Sequence, residues 1–264
     1  MSKLNLGILG GGQLGSMLAT AAKKLDINTI IYCDDKDAPA QKFSDNFLFG
    51  NYNDENKISE FINKVDVVTF EFENIPYNTL EFINKHKQVL PKPNINQVIQ
   101  NRFLEKKFVN SLNIKTTDYV MVKNLQDLHN NVNFLPGILK TTTLGYDGKG
   151  QFKINSKNDI EKLKIDFDKE YILEKFVKLK KEISVIITRF GHQRYEIYEP
   201  IENLHEDQIL KHSKIPAQIS EKIKNQATDW ATIIAEELDY VGTLCVEYFI
   251  DNKDNLYANE IAPR

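Results

Sequence analysis

The beginning of the chain carries the strongest constraint on the fold, because a glycine-rich turn there separates two apolar segments. Residues 4–9 predict a strand, the turn Gly10-Gly11-Gly12-Gln13-Leu14-Gly15 follows at once, residues 16–25 predict a helix, and residues 28–33 predict a second strand. This order is typical of a dinucleotide-binding βαβ unit, and Asp34 after the second strand agrees with it. The same unit also begins folds that bind no dinucleotide, so NAD binding is one alternative.

Helices and strands continue to alternate after this unit. The pattern predicts a helix over residues 54–64, a strand over 65–70, a helix over 79–86 and a short strand at 89–90. Such alternation predicts a parallel sheet covered by helices, and Pro91-Lys92-Pro93 predicts a domain edge. The sequence therefore predicts an α/β fold class for the first part of the chain, a Rossmann-like domain over residues 1–93.

Two acidic residues, Glu71 and Glu73, follow the third expected strand. The carboxyl ends of parallel strands are where open α/β sheets bind ligands, so these residues are candidates for a binding site. Carboxylates that face solvent beside the turn at Pro76 are the alternative.

The second half of the chain follows an α+β pattern. Residues 94–112 predict a helix, and residues 219–238 predict a long helix with apolar side chains at steps of three and four. Two antiparallel strand pairs are expected, residues 182–188 with 193–199 and residues 243–251 with 255–261. We therefore expect antiparallel sheets backed by helices after residue 93.

A second glycine-rich segment, residues 140–151, follows an apolar run that predicts a short strand. Its three glycines allow the backbone to turn several N–H groups toward one point, and Lys140, Lys149 and threonine hydroxyls add donors. Such a loop suits the phosphates of a nucleotide, although it lacks the ending of a Walker A loop. An exposed hairpin tip with solubilising lysines is the alternative.

Two glutamates lie within the last expected strand pair. Glu247 alternates with the apolar residues of its strand, and Glu260 follows Asn259 near the end of the partner strand. A carboxylate in an apolar strand is unfavourable unless it is paired or bound to a metal. Near a phosphate-binding loop, the pair predicts Mg²⁺ held between protein and nucleotide, and two edge-facing glutamates are the alternative.

Composition and charge indicate which binding partners and which cellular compartment to expect. The formal net charge of -3 gives no reason to expect nucleic acid or an anionic membrane as a partner. No apolar run approaches membrane-spanning length, and the first residues lack the pattern of a signal peptide. Cys33 and Cys245 lie in apolar, strand-like segments, which predicts buried thiols in a reducing cytoplasm.

Together the motifs resemble those of the ATP-grasp enzymes, and among them the enzymes that carboxylate aminoimidazole ribonucleotide in purine biosynthesis. The matching segments run nearly end to end: Gly10-Gly11-Gly12-Gln13-Leu14-Gly15, Glu71-Phe72-Glu73-Asn74-Ile75-Pro76, Gly145-Tyr146-Asp147-Gly148-Lys149-Gly150-Gln151, Glu174-Lys175-Phe176-Val177, Asn203-Leu204-His205 and Asn259-Glu260-Ile261-Ala262-Pro263-Arg264. The resemblance implies an ATP-grasp domain of two α+β subdomains over residues 94–264, with a lid at about residues 115–178.

The resemblance also implies the residues that bind ATP and Mg²⁺. Phosphates would be bound by Arg102, Lys140, Gly145, Tyr146, Asp147, Gly148, Lys149, Gly150 and Gln151. The adenine would lie beside Glu174, Lys175, Phe176 and Val177, with Glu182 on the ribose hydroxyls and His205 beside the nucleotide. Mg²⁺ would be carried by Glu247 and Glu260, with Asn259 next to them.

For the substrate side, the resemblance implies a site for aminoimidazole ribonucleotide and bicarbonate lined by Gln13, Glu73, Tyr146 and Arg264, with Lys140, Tyr146 and Arg264 taking part in the reaction. ATP would activate bicarbonate as carboxyphosphate, and the amine of the ribonucleotide would capture CO2 as a carbamate. The resemblance further implies a homodimer. Family members continue past the Ala-Pro-Arg motif with a segment that completes the substrate site and with a small C-terminal domain, which this sequence lacks.

Three other functions stay open from the sequence. They are another ATP-grasp ligase of nucleotide metabolism, such as the formate-using purine enzyme, an NAD-dependent oxidoreductase and a non-catalytic nucleotide-binding module. The oxidoreductase alternative leaves the second glycine-rich segment and the Glu247 and Glu260 pair unexplained.

Overall fold

The fold consists of a parallel sheet followed by two antiparallel sheets, as seen in a computed structural model that describes residues 3–71, 74–143, 150–206 and 209–264. The fold class expected from the sequence, α/β and then α+β, is confirmed. In the described part of the chain, no helix has both the length and the apolar character needed to cross a membrane.

The first sheet contains four parallel strands in the order β3-β2-β1-β4. Its strands are β1 (Asn5–Leu9), β2 (Asn28–Cys33), β3 (Asn46–Phe49) and β4 (Val67–Phe70), and its helices are α1 (Gln13–Lys24), α2 (Glu55–Ile62) and α3 (Tyr77–Asn84). Apolar clusters cover both faces, which explains why β1 and β2 are nearly continuous apolar runs.

The sequence prediction differs from the structure at the edges of this sheet. Strand β3 was not expected, because its four residues are only partly buried at the sheet edge. The expected strand at residues 89–90 is reduced to a single bridge between Val68 and Val89. Helix α1 begins at Gln13, three residues before the expected start, because Gly12 already takes the position that precedes the first helical turn.

The single helix expected over residues 94–112 is two helices, α4 (Pro93–Ile99) and α5 (Arg102–Ser111). The Asn101 side chain accepts hydrogen bonds from the backbone N–H groups of Phe103 and Leu104 and thereby caps α5. These two local bonds begin a new helix in the middle of an otherwise helical pattern.

The second sheet is antiparallel, with the order β5-β8-β6-β7. Its elements are β5 (Tyr119–Val122), α6 (Leu125–Asn130), β6 (Gly137–Thr141), β7 (Gln151–Ile154), α7 (Lys157–Ile160) and β8 (Tyr171–Lys175). Buried residues such as Leu139 and Leu173 give this sheet an apolar cluster of its own.

The third sheet contains β9 (Leu179–Gly191), β10 (Arg194–Ile197), β11 (Ile201–Glu206), β12 (Ile209–Lys214), β13 (Gly242–Asp251) and β14 (Leu256–Pro263). Strands β12, β11, β9, β13 and β14 lie side by side in that order, and β10 pairs with β9 as expected. Helix α8 (Glu221–Glu237) packs on one face through Ala227, Ala231 and Ile234. The β11–β12 hairpin was not expected, because every residue of β12 is exposed and its sequence shows no apolar alternation.

We predict that Phe61→Ala lowers the free energy of unfolding by about 3 to 5 kcal/mol, because it opens a cavity in a packed core. Phe61 is fully buried and its ring lies 5.7 Å from that of Tyr32. Phe49→Ala is the control, since Phe49 is 52% exposed, and it should change the same quantity by less than about 0.5 kcal/mol. Urea unfolding followed by circular dichroism measures both, and equal losses would contradict the assignment of this core.

Candidate active site

One face of the third sheet is polar and the other is apolar. Apolar residues alternate along β9 and β13 and pack on α8. On the opposite face, strand pairing aligns Ser184 of β9, Glu247 of β13 and Glu260 of β14 in one row. Residues that pair directly across neighbouring strands share a face, so these side chains lie next to one another. Glu182 and Asn203 form the neighbouring pair in the same sheet.

The two carboxylates that the sequence predicts to lie together do so at a β-bulge. Glu247 pairs with Glu260, whereas the next residue, Tyr248, pairs with Ala258, so Asn259 is an extra residue in β14. Burial, and after it the nearby charge of Glu260, raise the pKa of Glu247 above its ordinary value. A raised carboxyl pKa beside a second carboxylate indicates a place where a cation would be bound favourably.

Arg102 connects helix α5 to this pair. Its guanidinium donates a hydrogen bond to Glu260 Oε2 at 3.3 Å, and its backbone N–H donates to the Thr142 carbonyl at 2.9 Å. Burial opposes the charge of Arg102, but Glu260, Glu105 and Glu174 outweigh this effect and raise its pKa. A permanent positive charge is therefore fixed between the carboxylate pair and the end of β6.

A buried ionic cluster joins the second sheet to helix α5. Glu174 Oε2 lies 3.0 Å from Lys140 Nζ on β6 and 3.6 Å from Lys106 Nζ on α5, and it accepts a 3.1 Å hydrogen bond from the Thr117 hydroxyl. Lys106 also donates to the Thr117 hydroxyl at 3.3 Å. Glu174 and Lys106 are almost completely buried, so both charges depend on these contacts.

The charge state of Glu174 follows from its neighbours. Burial opposes ionisation, but the charges of Lys106 and Lys140, with the hydrogen bonds from Lys140 and Thr117, lower its pKa to about 2. Its second oxygen, Oε1, is buried and accepts no hydrogen bond from any described residue. An ionised, buried oxygen without a donor suits a ligand that brings an N–H or O–H group.

Glu182 and His205 form a second pair on the polar face. His205 Nδ1 lies 2.9 Å from Glu182 Oε2, a close electrostatic contact without the alignment of a hydrogen bond. Both side chains are between one quarter and one third exposed. The pair therefore faces the space above the sheet, and its orientation fits a polar ligand there.

The remaining expected site residues fall into three groups. Lys175 ends β8, and Phe176 and Val177 lie in the connection between the second and third sheets. Gly150 and Gln151 lie where β7 begins opposite β6, and Arg264 directly follows β14. Gln13 belongs to the part of the chain that forms the parallel sheet, at the exposed start of α1. Glu73 and Gly145, Tyr146, Asp147, Gly148 and Lys149 lie outside the described residues.

The first glycine turn holds a carboxylate of the protein itself. Glu71 Oε1 accepts a hydrogen bond from the Gly12 N–H at 2.8 Å, and burial raises the pKa of Glu71. Gly10 has a φ of +107°, and a Cβ there would come within 2.6 Å of Glu71 Oε1. A dinucleotide places its pyrophosphate at the start of this helix. Because a carboxylate already occupies the donor, the geometry does not support the NAD-dependent oxidoreductase.

Sequence reasoning missed Lys106, Thr117 and Ser184. Lys106 follows Arg102 by four residues, so both lie on the same side of α5, and this spacing is the signal that would have selected it among the lysines. Ser184 follows Glu182 by two residues and therefore shares its face. Thr117 has no such signal, because it precedes β5 in an irregular segment.

Comparison with known proteins agrees with this geometry. Residues 107–264 match the family model of the ATP-grasp domain, and residues 1–100 match that of the ribonucleotide synthetase preATP-grasp domain. The fold is therefore that of an ATP-grasp enzyme.

Individual relatives narrow the family. N5-carboxyaminoimidazole ribonucleotide synthase of Bacillus subtilis (strain 168) is 36% identical over 262 residues, covering 98% of this chain and 69% of that protein. The crystal structure of an ADP complex of N5-carboxyaminoimidazole ribonucleotide synthetase has a TM-score of 0.93 at 37% identity, covering 100% of this chain and 72% of that one. The Aspergillus clavatus N5-carboxyaminoimidazole synthase, solved with ADP and 5-aminoimidazole ribonucleotide, has a TM-score of 0.88 at 28% identity, covering 98% and 69%. The chain belongs to the N5-carboxyaminoimidazole ribonucleotide synthase family of ATP-grasp ligases.

We predict that Glu174→Gln lowers the free energy of unfolding at pH 7 by about 3 to 5 kcal/mol, because two ammonium groups then lose their buried counter-charge. The pKa of Glu174 in the folded state, about 2, lies below the ordinary value of 4.5. The stabilisation is thus present above pH 4.5 and is lost as the pH falls toward 2. The difference between wild type and variant should shrink over that interval in urea unfolding.

Glu170→Gln is the matched control for this variant. Glu170 forms an exposed ion pair with Lys123 at 3.3 Å, and such pairs contribute less than about 1 kcal/mol. Equal destabilisation by both substitutions at pH 7 would contradict the role of the buried cluster.

Proposed function

We propose that this chain carries out the ATP-dependent carboxylation of 5-aminoimidazole ribonucleotide with bicarbonate, giving N5-carboxyaminoimidazole ribonucleotide, ADP and phosphate in purine biosynthesis. The observation that carries the proposal is the polar sheet face, where the Glu247 and Glu260 pair and Arg102 lie in a chain of this family. Support for the substrate comes from the Aspergillus clavatus relative, which was solved with ADP and 5-aminoimidazole ribonucleotide.

The proposed reaction needs both activation and protection of bicarbonate. A bicarbonate oxygen attacks the γ-phosphorus of ATP, ADP leaves, and carboxyphosphate forms. Carboxyphosphate releases phosphate and CO2, and the exocyclic amine of the ribonucleotide attacks CO2 and loses a proton, which gives the carbamate. The protein must therefore balance the charge of the transferred phosphoryl group and exclude water.

Positive charge for the phosphates comes from two described residues in this proposal. Lys140 lies near the end of β6, in the segment 140–151 that the sequence assigns to phosphate binding, and Arg102 donates its backbone N–H to the Thr142 carbonyl in the same segment. Arg102 also contacts Glu260, so it lies between the phosphate region and the carboxylate pair.

Mg²⁺ fits the donor set of the Glu247 and Glu260 pair. Mg²⁺ is commonly held by one or two carboxylates together with phosphate oxygens and water, and the described residues contain no cluster of three or more metal-ligating side chains. The raised pKa of Glu247, caused by burial and by Glu260, agrees with a site that is completed by a cation. When bound, the ion would neutralise charge on the phosphoryl group, and Asn259 lies next to the pair.

The nucleoside is assigned to the space between the second and third sheets. The free Oε1 of Glu174 and the connection containing Lys175, Phe176 and Val177 would lie beside the adenine, and the Glu182 and His205 pair would contact the ribose side. The substrate side, with Gln13, Glu73, Tyr146 and Arg264, is proposed from the family resemblance.

The proposal also covers the domain boundaries, the location in the cell and the oligomeric state. The separate apolar cluster of the second sheet supports a lid at about residues 115–178, within an ATP-grasp domain over residues 94–264 that follows a first domain over residues 1–93. Two free, buried cysteines support a cytoplasmic location, and the family resemblance supports a homodimer.

The deciding experiment measures ADP release from ATP by this chain with each substrate omitted in turn. We expect release to require both 5-aminoimidazole ribonucleotide and bicarbonate. Release that needs formate instead would identify another ATP-grasp ligase, and nucleotide binding without any turnover would identify a binding module.

We predict that ATP with Mg²⁺ raises the melting temperature of this chain and that NAD does not. A ligand at 100 times its dissociation constant adds about 2.7 kcal/mol to the free energy of unfolding. Differential scanning fluorimetry with ATP, ATP with Mg²⁺, and NAD at equal concentrations tests the prediction. A shift with NAD equal to that with ATP would rule it out.

We predict that Glu247→Gln and Glu260→Gln each lower turnover roughly hundredfold or more while leaving the fold intact. Each substitution removes a negative charge that would hold the cation beside the phosphoryl group. Glu196→Gln, on the exposed strand β10, is the control and should keep normal turnover. Circular dichroism checks folding, and near-normal turnover of either active-site variant at limiting Mg²⁺ would refute the carboxylate assignment.

A further inference from the structure

Helix α5 contacts strand β14 at two consecutive residues, Glu260 and Ile261. Arg102 donates a hydrogen bond to the Glu260 side chain at 3.3 Å. Glu105 accepts a hydrogen bond at 2.6 Å from the backbone N–H of Ile261, the residue that directly follows Glu260. Arg102 and Glu105 are three residues apart and therefore neighbours on one side of the helix.

The bond from Ile261 satisfies a donor that the sheet leaves over. In the described sheet β14 is an edge strand whose ladder partner is β13, with a single bridge between Ala258 and Thr116 on its other side, so its outward N–H groups need partners outside the sheet. The Ala258 N–H donates to the Lys115 carbonyl, and the Ile261 N–H donates to Glu105. These two anchors lie on either side of the bulge residue Asn259, so they fix the backbone where Glu260 projects.

The burial of Glu105 is energetically unfavourable for a residue that serves packing alone. Glu105 is only 2% exposed, and a buried carboxyl group is unfavourable unless its interactions repay the lost hydration. Its Oε1 accepts the hydrogen bond from the backbone of β14, and the proposed reaction assigns Glu105 no contact with a ligand. An apolar residue would avoid this penalty but would leave the Ile261 N–H, which the sheet does not pair, without an acceptor.

We propose that Glu105 is a positioning residue that fixes the backbone at Ile261, so that the Glu260 carboxylate stands opposite Glu247 at the separation a divalent cation needs. The inference rests on the proposed function, since it presumes that this pair holds Mg²⁺ with the nucleotide. Without the anchor, the bulge loses one of its two outward bonds, and the contact with Arg102 would draw the Glu260 side chain away from its partner.

The test compares three variants at α5. Glu105→Met keeps the length and helix preference of the side chain but removes the acceptor oxygens, and Glu105→Gln keeps an acceptor oxygen. Val109→Ala removes buried volume one turn further along the same helix and leaves the Ile261 bond intact, so it is the control for general destabilisation. Glu105→Ala repeats the loss of the acceptor if the Met variant does not fold.

Two readouts other than turnover are measured. Isothermal titration gives the ATP affinity with and without Mg²⁺, and hydrogen exchange gives the protection of the Ile261 amide. We expect Glu105→Met to reduce, by about 10- to 100-fold, the gain in ATP affinity that Mg²⁺ provides. The ATP affinity without Mg²⁺ should stay unchanged, and hydrogen exchange at the Ile261 amide should become faster. Glu105→Gln should keep the wild-type effect of Mg²⁺ on ATP affinity and the wild-type exchange rate at Ile261. Val109→Ala should lower the melting temperature only.

The outcomes separate this inference from the proposed function. If wild type binds ATP more tightly with Mg²⁺ and Glu105→Met does so equally, the positioning role is wrong and the proposed function stands. If Glu105→Gln loses as much as Glu105→Met, the acceptor is not what matters and the inference fails. A wild-type chain whose ATP binding does not respond to Mg²⁺ overturns the metal assignment, and the positioning role with it.

Discussion

The structure depends on one buried interaction, the ionised carboxylate of Glu174 between Lys106 and Lys140. It joins an element of the second sheet to helix α5, which in turn holds strand β14 of the third sheet. Because each charge is buried, none is tolerable without the others. The geometry of the candidate nucleotide site is thus tied to the stability of the fold, because α5 contacts both antiparallel sheets.

Helix α5 links the parts of the site because of where it begins. The cap at Asn101 starts the helix so that Arg102, Glu105 and Lys106 fall in its first turns, facing Glu260, Ile261 and Glu174 respectively. A continuous helix through residues 94–112 would not have had this break, and the direction of the first turn would have been set by α4. The two local hydrogen bonds of one asparagine therefore determine which side chains reach both antiparallel sheets.

Much of the fold and part of the site could be predicted from the sequence. Alternation along β13 identified Glu247 as the polar exception in an apolar strand, and the two glycine-rich segments marked where β1 and β6 end. What could not be predicted depends on contacts between distant segments. Lys106 is one lysine among many until the fold places it 3.6 Å from Glu174, and β12 carries no periodic signal because neither of its faces is buried.

The extra residue in β14 separates the chemistry of the site from the packing of the core. Ala258 and Glu260 pair with consecutive residues of β13, so the apolar face continues on either side of Asn259 as if that residue were absent. A strand of this design can gain or lose a polar group at the site by a single insertion or deletion, without turning any core residue toward solvent. Evolution and protein engineering can therefore vary the donor set here while the hydrophobic layer beneath α8 keeps its sequence.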